Sequence, residues 1–294
     1  MSRHITVLEH EAVEALGITE NSIVVDATAN GGGHSKKIRE KLGAGGLLIS
    51  MDIDEHAYAV LGDIASASGA PMRVANINFR TIEATLKKEG VPEVTAILAD
   101  LGWSTNQFEK GARGFSFKHD EPLLMTYGAS ENYPFTARDI LNRWDEEDIA
   151  NVLYGYADER RSRKIAHAIV LARKEKPFVT SGDLARVVQS VSPKSSRIHP
   201  ATKAFQALRI AVNDEYRALA DFLAGSLASL AHGGRLAIIT FHSGEDRIVK
   251  ETFRTWAKKE KVRLLTKKPQ VPTRAEVLSN PRARSAKLRI IEKI

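Results

Sequence analysis

The sequence contains no cysteine, which excludes a disulfide framework and a thiolate metal site. No apolar run approaches the roughly 20 residues that cross a bilayer. The start, "MSRHITVLEHEAVEAL", lacks the charged-then-apolar pattern of a secretory leader. The histidines are scattered without metal-ligand spacing, so no structural metal is expected. No internal repeat or low-complexity stretch stands out. These absences point to a soluble, cytoplasmic protein with no membrane partner. What is present is 294 residues at 43% hydrophobic content. That suffices for one large domain, or for one domain carrying a sizeable insertion.

The net charge of +7 is uneven. Residues 251–294 hold 13 Lys/Arg against 4 Asp/Glu, a net of +9, and the remainder holds 30 against 32. A basic C-terminal segment on a nearly neutral body suits a polyanionic partner, or is simply a solvated surface.

Short apolar runs alternate with helical patterns. "SIVVDAT", "GLLISMDID", "MRVANIN" and "VTAILADLG" read as strands, with helices between them. That rhythm predicts a parallel sheet covered by helices on both faces. It breaks after Gly102, and residues 105–202 read as a helical insertion. The α/β pattern then resumes with one long helix over about 203–231, the strand in "GGRLAIITFHS", a helix, and the strands "VRLLT" and "KLRIIEK". The expected fold is a doubly wound, seven-stranded, mostly parallel sheet with an antiparallel edge hairpin. The sheet domain is discontinuous, 1–104 and 203–294, with an all-helical domain at 105–202.

The first strand runs into "DATANGGGHS". Ligands of such sheets sit beyond the carboxyl ends of the strands, and glycines there allow positive φ and close backbone approach. Asn30 is the non-glycine type that best tolerates positive φ. A P-loop needs Gly-Lys-Ser/Thr, whereas His34-Ser35 stands here. A dinucleotide turn matches weakly, since Lys36 takes the last glycine position. The third candidate is S-adenosylmethionine, which carries a sulfonium, an ammonium and a ribose diol. Asp26, Asp52 (with Asp54 nearby) and Asp100 end three neighbouring strands and suit such a cationic nucleoside. Any one of them alone would read as a helix cap or a surface acid.

The runs "HITVL", "DATANGGGHS", "DLGWSTNQF", "RGFSF", "HPATKAFQALRIAVNDE", "GGRLAIITFHSGEDRIVK" and "NPRARSAKLR" occur in an order that resembles the 16S ribosomal RNA cytosine-N4 methyltransferases of the RsmH (MraW) family. The resemblance spans nearly the whole chain. It implies a class I S-adenosylmethionine-dependent methyltransferase fold with a helical insertion for substrate recognition. The implied reaction is methyl transfer to N4 of a decoding-centre cytosine, probed within 16S ribosomal RNA or the small ribosomal subunit. By the same resemblance Gly32, Gly33 and His34 line the cofactor and Asp52 takes the ribose hydroxyls. Phe79 packs near the adenine, Asp100 and Gln107 complete the site, and Asp26 supports it or faces the methionine amine. The residues leave the oligomeric state open, a homodimer being one reading.

The exocyclic amine of cytosine is a poor nucleophile because its lone pair is delocalised into the ring. An acceptor at the amine hydrogens favours the reactive form. Asp100 and the backbone around Leu101 to Trp103 are the candidates. A base drawn from its stack is held by aromatic and guanidinium faces, for which Trp103, Arg113, Phe115 and Phe117 are the expected holders; a packed loop is the other reading of "RGFSF". His242 and Ser243 end the fifth strand and read as polar substrate contacts, with no G-x-S-x-G turn to make a nucleophile. Arg282, Arg284, Lys287 and Arg289 are expected to meet RNA phosphates.

Some positions leave the family pattern. Leu124 and Thr126 stand where the family has an acid and an arginine. Gly244 replaces a leucine, and Asn30 a glycine. A divergent paralogue acting on another acceptor, or on none, is therefore a rival reading. A DNA amino-methyltransferase is disfavoured because "DLGWS" stands where those enzymes have an Asp/Asn/Ser-Pro-Pro-aromatic run.

Overall fold

The computed structural model describes residues 5–102, 112–117, 120–192 and 199–294. The chain divides into two compact units, 1–104 with 216–294, and 105–215.

The first unit is built on seven strands. β1 (Ile23–Asp26), β2 (Leu47–Asp52), β3 (Met72–Asn76), β4 (Val94–Asp100) and β5 (Leu230–Thr240) are parallel, and β6 (Val262–Leu264) and β7 (Lys287–Lys293) complete the sheet. The order is β3-β2-β1-β4-β5-β7-β6. β7 runs antiparallel to both neighbours. The expected edge pair is thus present, but residues 265–286 lie between its strands. They hold a helix that sequence reading had not found, Arg274–Ser279.

Period-two alternation sorts the strand residues to two faces. Val25, Ile49, Ile97 and Ile238 join one core with Phe222 and Leu223 of one helix and Val249 and Phe253 of another. Val24, Leu48, Leu98 and Ile239 join the other, with Val13, Ile38 and Leu42. The first helices of this unit are α1 (Glu9–Ala15), α2 (Gly33–Lys41), α3 (Glu55–Ser66) and α4 (Ile82–Lys88). Burial on both faces explains why the central strands read as continuous apolar runs. Between β1 and β4 the order of connection reverses, which sets the tips of β1, β2 and β4 side by side.

The second unit is helical: α5 (Ala137–Arg143), α6 (Glu146–Ala157), α7 (Ser162–Glu175), α8 (Ser181–Ser190) and α9 (Thr202–Asn213). Thr136 with Asp139, and Thr180 with Asp183, form capping boxes that start α5 and α8. Ile140, Leu153, Ile165, Ile169, Leu184 and Leu208 are among its core residues.

The single helix expected over 203–231 is two. Asp214 takes a left-handed conformation, φ 49°, ending α9 before α10 (Glu215–Ser229) begins. The second domain boundary accordingly falls at Glu215 rather than at 202. The reason is burial: Phe205, Ala207 and Leu208 of α9 belong to the helical core. The final helix pair is α11 (Ser243–Lys258) and α12 (Arg274–Ser279). Among the described residues no helix is long and apolar enough to cross a membrane.

Left-handed backbone costs an L-residue about 1–2 kcal/mol, and a β-branched residue at least that. Asp214→Val should therefore lower the unfolding free energy by about that amount, and Asp214→Gly should not lower it. Urea denaturation of the full chain checks this; equal stability of the two variants would refute the break.

Candidate active site

The turn after β1 is stitched to both neighbouring strands. The Ala27 amide donates to Leu98 O (2.8 Å) and the Ala29 amide to Met51 O (3.0 Å). The Asp100 amide donates to the Thr28 hydroxyl at 2.6 Å. The Asn30 amide donates to Asp52 Oδ2 at 2.7 Å, and the Asp54 amide to Oδ1 at 2.8 Å. Asn30 sits at φ 47° and Gly32 at φ 76°, the backbone state that asparagine and glycine tolerate. Gly33 opens α2, and a Cβ on it would lie 1.8 Å from the Thr6 hydroxyl. Its bareness admits the N-terminal segment.

Three carboxylates mark the strand tips. Asp26 is fully buried. Its Oδ2 accepts from the Ser35 hydroxyl at 2.6 Å, while Oδ1 has no hydrogen-bond partner among the described residues. Burial pushes Asp26 up to about 6, against the Ser35 hydrogen bond. Asp52 is likewise raised by burial to about 6, against its backbone hydrogen bonds. Asp100 is pushed well above the ordinary carboxylate range by burial and by the charges of Asp26 and Glu245. Its Oδ2 lies 3.7 Å from Nδ1 of the buried His34, and its Oδ1 has no partner among the described residues. Buried carboxylate oxygens without donors are costly. A cationic ligand rich in N–H and O–H groups relieves that cost, so these residues fit a sulfonium nucleoside. The carboxylates that read as separate strand ends in sequence therefore lie within mutual electrostatic reach: Asp26 feels Asp52, and Asp100 feels Asp26.

Other expected residues take different positions. Phe79 begins a short 3-10 turn after β3 and meets Phe222 edge to face at 5.0 Å. Asp54 caps α3 by accepting from the His56 amide. His242 caps α11: the Glu245 amide donates to its Nδ1 at 3.4 Å, and its Nε2 lies 3.0 Å from Glu245 Oε1. Ser243 is the first helical residue. Glu245, buried, also accepts from the Phe241 amide at 2.8 Å. Sequence reading missed Glu245, although a glutamate three residues after a cap position is the capping-box signal. Trp103 and Gln107 lie outside the described residues.

Three of the four expected base holders have partners within the helical unit. Phe115 is 7% exposed and stacks on Tyr127 at 5.7 Å. Phe117 stacks on His199 at 4.1 Å and meets Phe205 edge to face at 5.5 Å. Arg113 donates to the carbonyls of Thr126 and Tyr127. Their faces are taken up by the helical unit's own packing. Of the expected phosphate contacts, Arg282 and Arg284 are exposed on a 3-10 turn. Lys287 and Arg289 instead contact Asp246 at 3.0 and 2.7 Å. Burial opposes the charge on Asp246, but these two cations hold its carboxyl below the usual range.

Two of the departures have local causes. Thr126 is fully buried and donates to Gly128 O at 2.9 Å, where an arginine would strand a charge. Half-buried Leu124 makes backbone bonds to Arg113 and Ala137. A Cβ at Gly244 would lie 1.7 Å from the Tyr216 hydroxyl, so the tyrosine fills the space that a leucine needs. Gly244→Leu should destabilise the chain by about 1–3 kcal/mol. Combined with Tyr216→Ala, the loss should be smaller than the sum of the two single losses in a denaturation cycle. Strict additivity would show that the two positions do not compete for space.

The family model described as the MraW methylase family matches residues 1–294. "Ribosomal RNA small subunit methyltransferase H" of Symbiobacterium thermophilum is 41% identical over 309 residues, covering 99% of this chain and 96% of that protein. The protein of that name in a Paenibacillus species is 42% identical over 322 residues, covering 100% of both chains. The one in Clostridioides difficile is 37% identical, covering 99% of each. Among solved structures, TrmN from Thermus thermophilus is 14% identical with a TM-score of 0.48, covering 98% of this chain and 48% of that one. The chain belongs to the MraW methylase family and is a methyltransferase that uses S-adenosylmethionine.

Proposed function

We propose that this chain methylates ribosomal RNA of the small subunit, and that its acceptor is N4 of a decoding-centre cytosine in 16S ribosomal RNA. The relatives' shared name supports the RNA, and the family resemblance of the sequence supports the base. A cytoplasmic location follows from that substrate. The observation that carries the chemistry is the pair of carboxylate oxygens, Asp26 Oδ1 and Asp100 Oδ1, that have no hydrogen-bond partner among the described residues beside the bare turn.

Bound S-adenosylmethionine supplies an electrophilic methyl on a sulfonium. Asp52 accepts from the two ribose hydroxyls, a carboxylate having room for both beyond its two backbone donors. Asp26 balances the positive charge of the methionine end. Gly32, Gly33 and His34 line the pocket, and Phe79 flanks the adenine. Asp100 Oδ1 accepts a hydrogen of the cytosine amine, which localises the nitrogen lone pair, and then holds the proton that leaves. Holding the amine in line is the larger share of the work. His242, oriented by Glu245, and Ser243 border the acceptor side.

The competing reading is a paralogue that binds the cofactor without methylating this base. Labelled methyl appearing on one cytosine of unmodified 30S subunits decides for the enzyme. Bound cofactor with no transfer decides against it.

Asp26 and Asp52 both sit near 6 in the free protein. Their charged forms are the ones a cationic ligand needs. Affinity for S-adenosylmethionine should therefore fall about tenfold per pH unit for each acid, about a hundredfold for the two together, well below about 6 and flatten above about 7. Calorimetry from pH 5 to 8 reads this, and a flat profile would remove both acids from the site. Asp100→Asn should lower kcat by about 100-fold or more. Full turnover in single-turnover assays would end the acceptor role.

A further inference from the structure

The connection between α6 and α7 reads "DERRSRK", Asp158 to Lys164. It is held by its backbone. The Glu159 amide bonds to Leu153 O, and the Arg161 amide to Glu159 Oε1 at 2.9 Å. Ile165, Ala166 and Ile169 pin α7 into the helical core, which turns Arg160, Arg161, Arg163 and Lys164 outward, all exposed. The four line an open groove of about 460 Å³ with Asn151 and Tyr154, and Tyr154 is 60% exposed.

Several surface cations are paired. Lys37, Lys41, Lys87, Arg143 and Arg186 each contact a carboxylate. Among the described residues none of the four does. They also crowd the positive end of a 14-residue helix whose first turn has no acid and whose cap residue, Arg161, makes no side-chain bond. Cations there are disfavoured by the helix dipole and by each other. Four uncompensated positive charges, an uncapped helix start, a groove and an exposed aromatic ring converge on one spot.

We propose that this groove is a docking surface for the ribosomal RNA, distinct from the basic C-terminal segment. The proposal rests on the small-subunit RNA reading above. Arg160, Arg161, Arg163 and Lys164 engage successive phosphates, the guanidinium forks binding bidentately. Tyr154 offers a face to an unpaired base, as single-stranded RNA requires. Three arginines to one lysine, beside an aromatic ring, favour RNA over an acidic protein surface.

The test uses the full chain with two probes, protein-free 16S ribosomal RNA and intact 30S subunits. The variant Arg161→Gln/Arg163→Gln/Lys164→Gln should weaken binding to both by about tenfold or more. Its slope of log affinity against log salt should drop by about 0.7–0.9 per lost phosphate contact. Tyr154→Ala should weaken binding with the slope unchanged. S-adenosylmethionine affinity should match the wild type in both, and the triple variant's thermal midpoint should not fall. Arg143→Gln/Arg186→Gln, which removes paired cations of the same unit, is the control for net charge. Wild-type RNA affinity and slope in the triple variant, or a loss no greater per charge than the control's, overturns the proposal. Weakened binding to subunits alone overturns it in favour of a protein contact. A wild-type chain that binds neither probe overturns the RNA reading itself and this surface with it.

Discussion

Asp52 holds the turn on which the site depends. One carboxylate oxygen accepts from Asn30 and the other from Asp54. With the Ala27 and Ala29 amides bonded to β4 and β2, the segment is anchored at four points, yet its three acids retain acceptor capacity. A turn less constrained would let the acids rotate to solvent or to neighbouring donors. Held here, Asp26 and Asp100 each keep an oxygen without a donor. Preorganised polar groups of that kind bind a charged ligand without reorganising first.

The cost of this arrangement falls on ionising the carboxylates. Burial raises all three above their ordinary range. A carboxyl that resists ionisation in the free protein gains the most from a positive neighbour. The same property that makes these groups costly makes them selective for a cationic nucleoside over a phosphate-bearing one.

Packing also sorts the unusual positions. Thr126 is a small, neutral side chain where the surroundings leave no room for charge, and Gly244 pairs with the Tyr216 hydroxyl. These two departures from the family pattern are thus matched by their neighbours, and nothing in the structure explains Leu124. The cations divide in the same way. Lys287 and Arg289 hold Asp246 and so fasten the last strand to the start of α11, while the cluster at the head of α7 has no such internal task.

The order of strands and helices, the helical insertion and the acids at strand ends were legible in the sequence. They depend on apolar period, breaker residues and capping, all set within a dozen residues. The tertiary structure alone decided the rest. Gly33 reads as a ligand-facing glycine, and Thr6 takes the space that its Cβ would fill. Phe115 and Phe117 read as base holders but complete a core. Arg289 reads as a phosphate contact but meets Asp246, 43 residues away in the chain. Asp214 breaks a helix whose periodicity continues across it. A residue's type and spacing set which groups it can pair with, but only the packing of distant elements determines which of those partners comes within reach.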